Sequence, residues 1–169
     1  MTKPLIIYYS NIKSLSGEIA HKLALAVHGD IYEVKTPKLY YRSQLNRDGT
    51  NKISKIPIIY DALDFTPYNP IYIVGETSGK YVIGPIRSWM EQNKSILTGS
   101  EKEFVYCIFG RKPDRSIKSM KAILGQPRDI IMIDTFEYPL DLHTFLHPSL
   151  PTTKKNEPFK LKLQHFIHS

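Results

Sequence analysis

The stretch Pro4-Leu-Ile-Ile-Tyr-Tyr-Ser10, with Asn11-Ile-Lys-Ser-Leu-Ser16 behind it and an apolar-periodic run to Gly29, decides the fold. Its first part is a continuous apolar and aromatic run of strand length, the form taken by a strand covered on both faces. Ser14 to Ser16 offer N-cap hydroxyls, and Ile19, Ala20, Leu23, Ala24 and Val27 recur at helical spacing until Gly29 supplies a stop. Asp30-Ile-Tyr-Glu-Val-Lys35 alternates and is rich in β-branched and aromatic residues, so a second strand follows. The distance between the two strands suits a right-handed crossover, which predicts a parallel sheet.

Working outward, residues 36–70 are irregular, with four prolines, the pair Asp48-Gly49 and many tyrosines. They read as a long basic loop over the sheet edge, with a short helix near residues 58–63. Regular structure resumes with a strand at 71–75, a helix at 85–96 opened by Pro85, and a strand at 103–110. A helix at 113–124 is stopped by Gly125. A last strand spans 129–136 and a closing helix 158–167, with 137–157 as an inserted loop. Five strands alternating with four helices, without repeat or linker, predict one domain over residues 1–169. The expected architecture is a three-layer α/β/α sandwich around a five-stranded parallel sheet. Ligands in such sheets sit at the carboxyl ends of the strands, which here means the loops at 10–16, 75–84 and 110–114.

The chain has 169 residues with 41% hydrophobic and 23% charged, enough for a sizeable core and unlike a disordered tail or a fibre. Its net charge of +7 is unevenly placed: residues 35–55 hold six cations against Asp48 alone, and residues 111–128 hold six against Asp114 alone. Both segments follow strand carboxyl ends, so an anionic ligand or an acidic partner is expected there. The single cysteine, Cys107, excludes an intrachain disulfide and suits a reducing compartment. No apolar run approaches a membrane span and the N-terminus lacks a signal-peptide core, so a cytoplasmic protein without membrane association is expected.

The strand, Ser-rich turn and helix, together with Gly75 closing the third strand and Pro85-Ile-Arg-Ser-Trp opening the next helix, resemble the flavodoxin family and its flavodoxin-domain relatives. The resemblance covers nearly the whole chain and implies strand order 2-1-3-4-5, flavin mononucleotide (FMN) as cofactor, and three cofactor loops. The first would be Ser10, Asn11, Ile12, Lys13, Ser14, Leu15 and Ser16, where the family holds the FMN phosphate with hydroxyls and helix amides. This loop is one residue longer than the family motif and lacks its glycine. The second would use Thr77, Ser78, Gly79, Lys80 and Tyr81. Gly79 stands where relatives place an aromatic against the isoalloxazine, and Tyr81 is the substitute platform. The third would use backbone amides of Gly110, Arg111 and Lys112 beside the ring, the two cations favouring an anionic reduced flavin.

Other residues carry less chemistry. Cys107 reads as a buried small apolar residue, and Phe65, Trp89 and Met90 as core. His143 with His147 and His165 with His168 have helical spacing but no carboxylate or cysteine partner in a recognised metal pattern, so no metal is assigned. Residues 141–146 read as a short helix contacting a second subunit, giving a homodimer. Two functions follow. One is an FMN protein that carries electrons to an acidic redox protein or reduces a small acceptor such as a quinone, without a catalytic side chain. The other is a flavodoxin-fold module that has lost FMN and binds an acidic protein or anionic ligand. Nucleic-acid binding ranks below both, because no recognised motif accompanies Tyr40, Tyr41 and their neighbouring cations.

Overall fold

The computed structural model describes residues 2–11 and 15–134, the last two by backbone alone. Strands β1 (Lys3–Tyr8), β2 (Asp30–Glu33), β3 (Tyr68–Ser78), β4 (Tyr81–Val82), β5 (Phe104–Gly110) and β6 (Asp129–Asp134) alternate with helices α1 (Ser16–Val27), α2 (Arg42–Asp48), α3 (Gly84–Thr98) and α4 (Pro113–Leu124). Five strands are parallel in the order β2-β1-β3-β5-β6, and the two-residue β4 pairs antiparallel with β3. Leaving β4 aside, this is the expected order 2-1-3-4-5. The strand order reverses between β1 and β3, both of which start from the centre of the sheet.

Strand pleating divides the core. Ile6, Tyr8, Tyr72, Val74, Val105, Cys107 and Phe109 face one side, where Ile19, Ala20 and Leu23 of α1 pack. Leu5, Ile7, Ile71, Ile73, Tyr106 and Ile108 face the other, against Ile86, Trp89 and Met90 of α3 and Ile117 and Met120 of α4. Such alternation with both sides apolar produces the continuous hydrophobic runs of the sequence. Phe65, Trp89 and Met90 are core residues, with Phe65 and Trp89 in edge-to-face contact at 5.9 Å. Cys107 is fully buried and its thiol is pushed up to about 12 by desolvation, as expected of a packing residue.

Several boundaries differ from the sequence reading. Leu15, not Ser14, precedes α1 and makes no side-chain cap, and Ser16 is the first helical residue. The left-handed residue ending α1 is His28, with φ 53°, and Gly29 answers a packing demand instead. A Cβ there would lie 2.5 Å from Ile6 Cδ1 and 2.9 Å from the Pro4 carbonyl. Residues 58–63 are not helical. The helix of this region is α2, held by Gln44 Oε1 accepting from the Tyr41 amide at 2.9 Å and by the fully buried Leu45. The segment 75–84 is not a loop but a hairpin, since β3 runs to Ser78 and returns as β4. The closing helix, the inserted loop at 137–157 and all four histidines paired by spacing lie outside the described residues. Among the described residues no helix is long and apolar enough to cross a membrane.

Candidate functional site at the carboxyl end of the sheet

The crevice between the ends of β1 and β3 is built from three neighbouring pieces. The first is the turn into α1. A Cβ on Gly17 would meet Ser10 Oγ at 3.4 Å and the Tyr8 ring at 3.6 Å, so the Ser10 hydroxyl abuts the first turn of the helix. Leu15 at the N-cap makes no side-chain cap, and the first-turn backbone amides of a helix are the environment that attracts an anion. Glu18 occupies the same first turn, and its Oε2 is buried without a partner. Tyr8 and Tyr9 continue from β1, and burial raises both phenol pKa values, so both stay neutral.

The second piece is the end of β3. The pairing Ile7↔Ile73, carried three residues on, sets Ser10 level with Glu76. One carboxylate oxygen of Glu76 pairs with Arg42 at the start of α2, at 2.5 Å, and the side chain is only 12% exposed. Its other oxygen, Oε2, is buried and has no partner. A buried carboxylate oxygen without a donor costs free energy, so the crevice holds an acceptor suited to a ligand N–H or O–H.

The third piece is the hairpin and what it leans on. Ser78 Oγ donates to the Leu45 carbonyl at 2.8 Å and the Lys80 amide to the Gly49 carbonyl at 3.1 Å, which bind the hairpin to α2. Gly49 and Gly79 meet so closely that a Cβ on Gly49 would lie 2.1 Å from the Ser78 carbonyl oxygen. Gly79, with φ 64°, makes the turn. Tyr81 lies under the Arg87 guanidinium, 4.7 Å from its ring centroid. Arg87 in turn is almost completely buried and forms an ion pair with Asp48 at 2.6 Å. It also donates to the carbonyls of Asn51 at 2.6 Å and Asp48 at 3.2 Å. Asp48 accepts further hydrogen bonds from Ser54 Oγ and the Lys55 amide. Desolvation pushes the Arg87 pKa down while Asp48 pulls it back up.

These contacts separate the sequence candidates. Ser10, Asn11, Leu15 and Ser16 gather at the start of α1, Ser16 buried and Asn11 half-buried, while Ile12, Lys13 and Ser14 lie outside the described residues. Thr77 and Ser78 are buried strand residues, not loop residues, and the Ser78 hydroxyl is committed to α2. Gly79 and Lys80 are exposed at the hairpin tip, and Tyr81 is a strand residue clamped by Arg87, not a ring on a free loop. Gly110, with φ 126°, packs against Thr77, and a Cβ would lie 2.0 Å from Thr77 Oγ1. Arg111 and Lys112 are exposed just beyond it. Glu76, Arg42, Asp48 and Arg87 were not among the candidates. Glu76 stood directly after Gly75 in a segment already singled out, but its pairing with Arg42 has no local sequence signal. A separate groove of about 560 Å³ lies at edge strand β2, lined by Tyr8, Tyr32, Glu33 and Tyr60 among others. It shares only Tyr8 with the crevice.

No family model and no curated protein matches the chain. Solved structures do. A flavoprotein of Lactobacillus acidophilus in complex with FMN is 18% identical and superposes with a TM-score of 0.61, over 81% of this chain and 96% of that one. The apo form of the flavoprotein from that organism gives 18% identity and 0.57, over 79% and 92%. A candidate flavoprotein of Bacteroides uniformis gives 15% identity and 0.65, over 78% and 89%. Likeness at these identities speaks to architecture, and it agrees with the strand order and layering above. The chain has the flavodoxin-like fold.

Proposed function

We propose that the chain binds FMN in the β1–β3 crevice and acts as an electron carrier or as a reductase of a small acceptor such as a quinone. The observation that carries this reading is the buried, partnerless Glu76 Oε2 at the point where the strand order reverses, in a fold shared with an FMN-bound flavoprotein. An isoalloxazine N–H is a donor of the kind that oxygen lacks. The phosphate belongs at the start of α1, beside Ser10, Asn11 and Ser16, with Lys13 and Ser14 as further candidates from the sequence. Arg42 neutralises Glu76, which leaves Glu18 in the first turn of α1 as the carboxylate that a bound phosphate must face. Arg111 and Lys112 favour the anionic reduced flavin. Bound FMN supplies the redox chemistry, while the chain binds it, sets its electrostatic surroundings and limits access of water.

The experiment is a pair of titrations on wild type and Ser16→Ala, one with FMN and one with riboflavin. Loss of a phosphate contact weakens FMN by roughly 10- to 150-fold, since a hydrogen bond to a charged group is worth about 1.5–3 kcal/mol, and leaves riboflavin unchanged. Equal weakening of both overturns the phosphate assignment. A second reading, a flavin-free module on the same scaffold, is favoured by Gly79 in place of an aromatic and by the engagement of Tyr81 with Arg87.

A further inference from the structure

The two cationic segments that lie some sixty residues apart in the chain are joined in space by the β3–β4 hairpin. The Lys80 amide reaches the Gly49 carbonyl at 3.1 Å, just past Arg47 in the last turn of α2, and Ser78 binds the Leu45 carbonyl. On the other flank, Thr77 packs on Gly110, which opens the turn into α4, and α4 packs against β4. Arg115 and Lys118 lie on the exposed side of α4 at i,i+3 spacing, so they stand side by side. Arg47, Lys52, Lys80, Arg115 and Lys118 are exposed, and none has an ion-pair partner among the described residues. The carboxylates that might have balanced them are used elsewhere: Asp48 by Arg87 and Glu76 by Arg42. Asp114 is the exposed acid that remains on α4.

We infer that this cationic rim, with Lys80 at its centre, docks an acidic protein over the carboxyl end of the sheet. The inference rests on the FMN reading only for what docking achieves, the approach of a redox partner to the flavin. Charge alone attracts an acidic protein and nucleic acid alike, and the aromatic side chains separate them. The Tyr81 ring beside Lys80 is engaged by Arg87, and the exposed Tyr41 stands at the opposite end of α2 from Arg47, so the hairpin itself presents no free ring for a base to stack on. A cluster of uncompensated charges beside a crevice steers an oppositely charged partner and makes association depend on salt.

The test uses the full chain and a plant-type [2Fe–2S] ferredoxin, an acidic iron–sulfur protein, carrying a fluorescent label. Affinity is measured between about 20 mM and about 200 mM salt, where the screening length shortens from roughly 20 Å to about 7 Å. Two double variants of equal charge change are compared: Lys80→Glu with Arg115→Glu, and Lys94→Glu with Lys102→Glu towards the amino end of the sheet. The rim pair is expected to weaken binding at low salt at least about tenfold and to flatten the salt dependence, while the distant pair changes it by less than about threefold. Equal weakening by both pairs, or affinity indifferent to salt, overturns the proposal. So does tighter binding of a single-stranded oligonucleotide at the same salt with the same sensitivity to the rim pair. Flavin absorbance of each variant is read separately. A colourless chain that still binds ferredoxin through the rim removes the FMN reading alone, and a yellow chain that ignores ferredoxin removes the rim alone.

Discussion

Replacing Asp48 by Asn removes one charge from the Asp48–Arg87 pair while nearly keeping its volume. The Arg87 side chain is 2% exposed and that of Asp48 is 4% exposed, so solvent does not take over from the lost partner. Arg87 would keep only the carbonyls of Asn51 and Asp48 and the Tyr81 ring, and its Nε already lacks a partner. Breaking a buried pair from one side costs about 3–5 kcal/mol, because a charge is left uncompensated in a poorly solvated place. Arg87→Met exposes the converse case. The carboxylate keeps Ser54 and the Lys55 amide as donors, so the loss falls at the lower end of that range. The double variant leaves no buried charge and should cost less than the sum of the two by more than about 1 kcal/mol. Urea unfolding followed by far-ultraviolet circular dichroism and by tryptophan fluorescence measures all four proteins. A loss below about 1 kcal/mol for Asp48→Asn, or strict additivity in the double variant, would refute the claim that this pair latches α2 and the segment after it onto α3.

Three further outcomes are expected. Gly110→Ala should destabilise by more than about 1 kcal/mol, and by more than Gly125→Ala, in denaturant titrations: both glycines have positive φ, but only Gly110 has a neighbour, Thr77, in the way of a Cβ. Arg42→Ala removes the cation from Glu76, whose Oε2 is already without a partner, and should cost about 1–3 kcal/mol, part of which Glu76→Gln in the same background recovers. Cys107, fully buried with its thiol pushed up to about 12, should react with a thiol reagent only after unfolding; stoichiometric labelling of the native chain within minutes would contradict its placement.

The β1–α1–β2 unit, the later parallel strands and helices α3 and α4 were legible because each carries its own periodicity. Ile19, Ala20 and Leu23 face one way and Ile6 alternates with Ile7, and those patterns survive unchanged in the packing. Helix α2 was not legible, since seven residues contain one buried apolar side chain, Leu45. Its stability comes from Ser78 and from the Asp48–Arg87 pair, residues remote in sequence. The hairpin did leave a trace. Gly79 followed by Lys80, between Ser78 and Tyr81, is a two-residue connection with glycine first, a recognised preference for tight hairpins. In the site, the serines around α1 were legible from residue type and position, whereas Glu76 with Arg42 depended on tertiary contact between α2 and β3.

The most direct measurement of the central claim is flavin content after mild purification, followed by titration of the colourless fraction with FMN. A yellow preparation with flavin absorbance is expected, or saturable binding of added FMN with a Kd near the micromolar range, about −8 kcal/mol. A colourless chain that also fails to bind added FMN would contradict it.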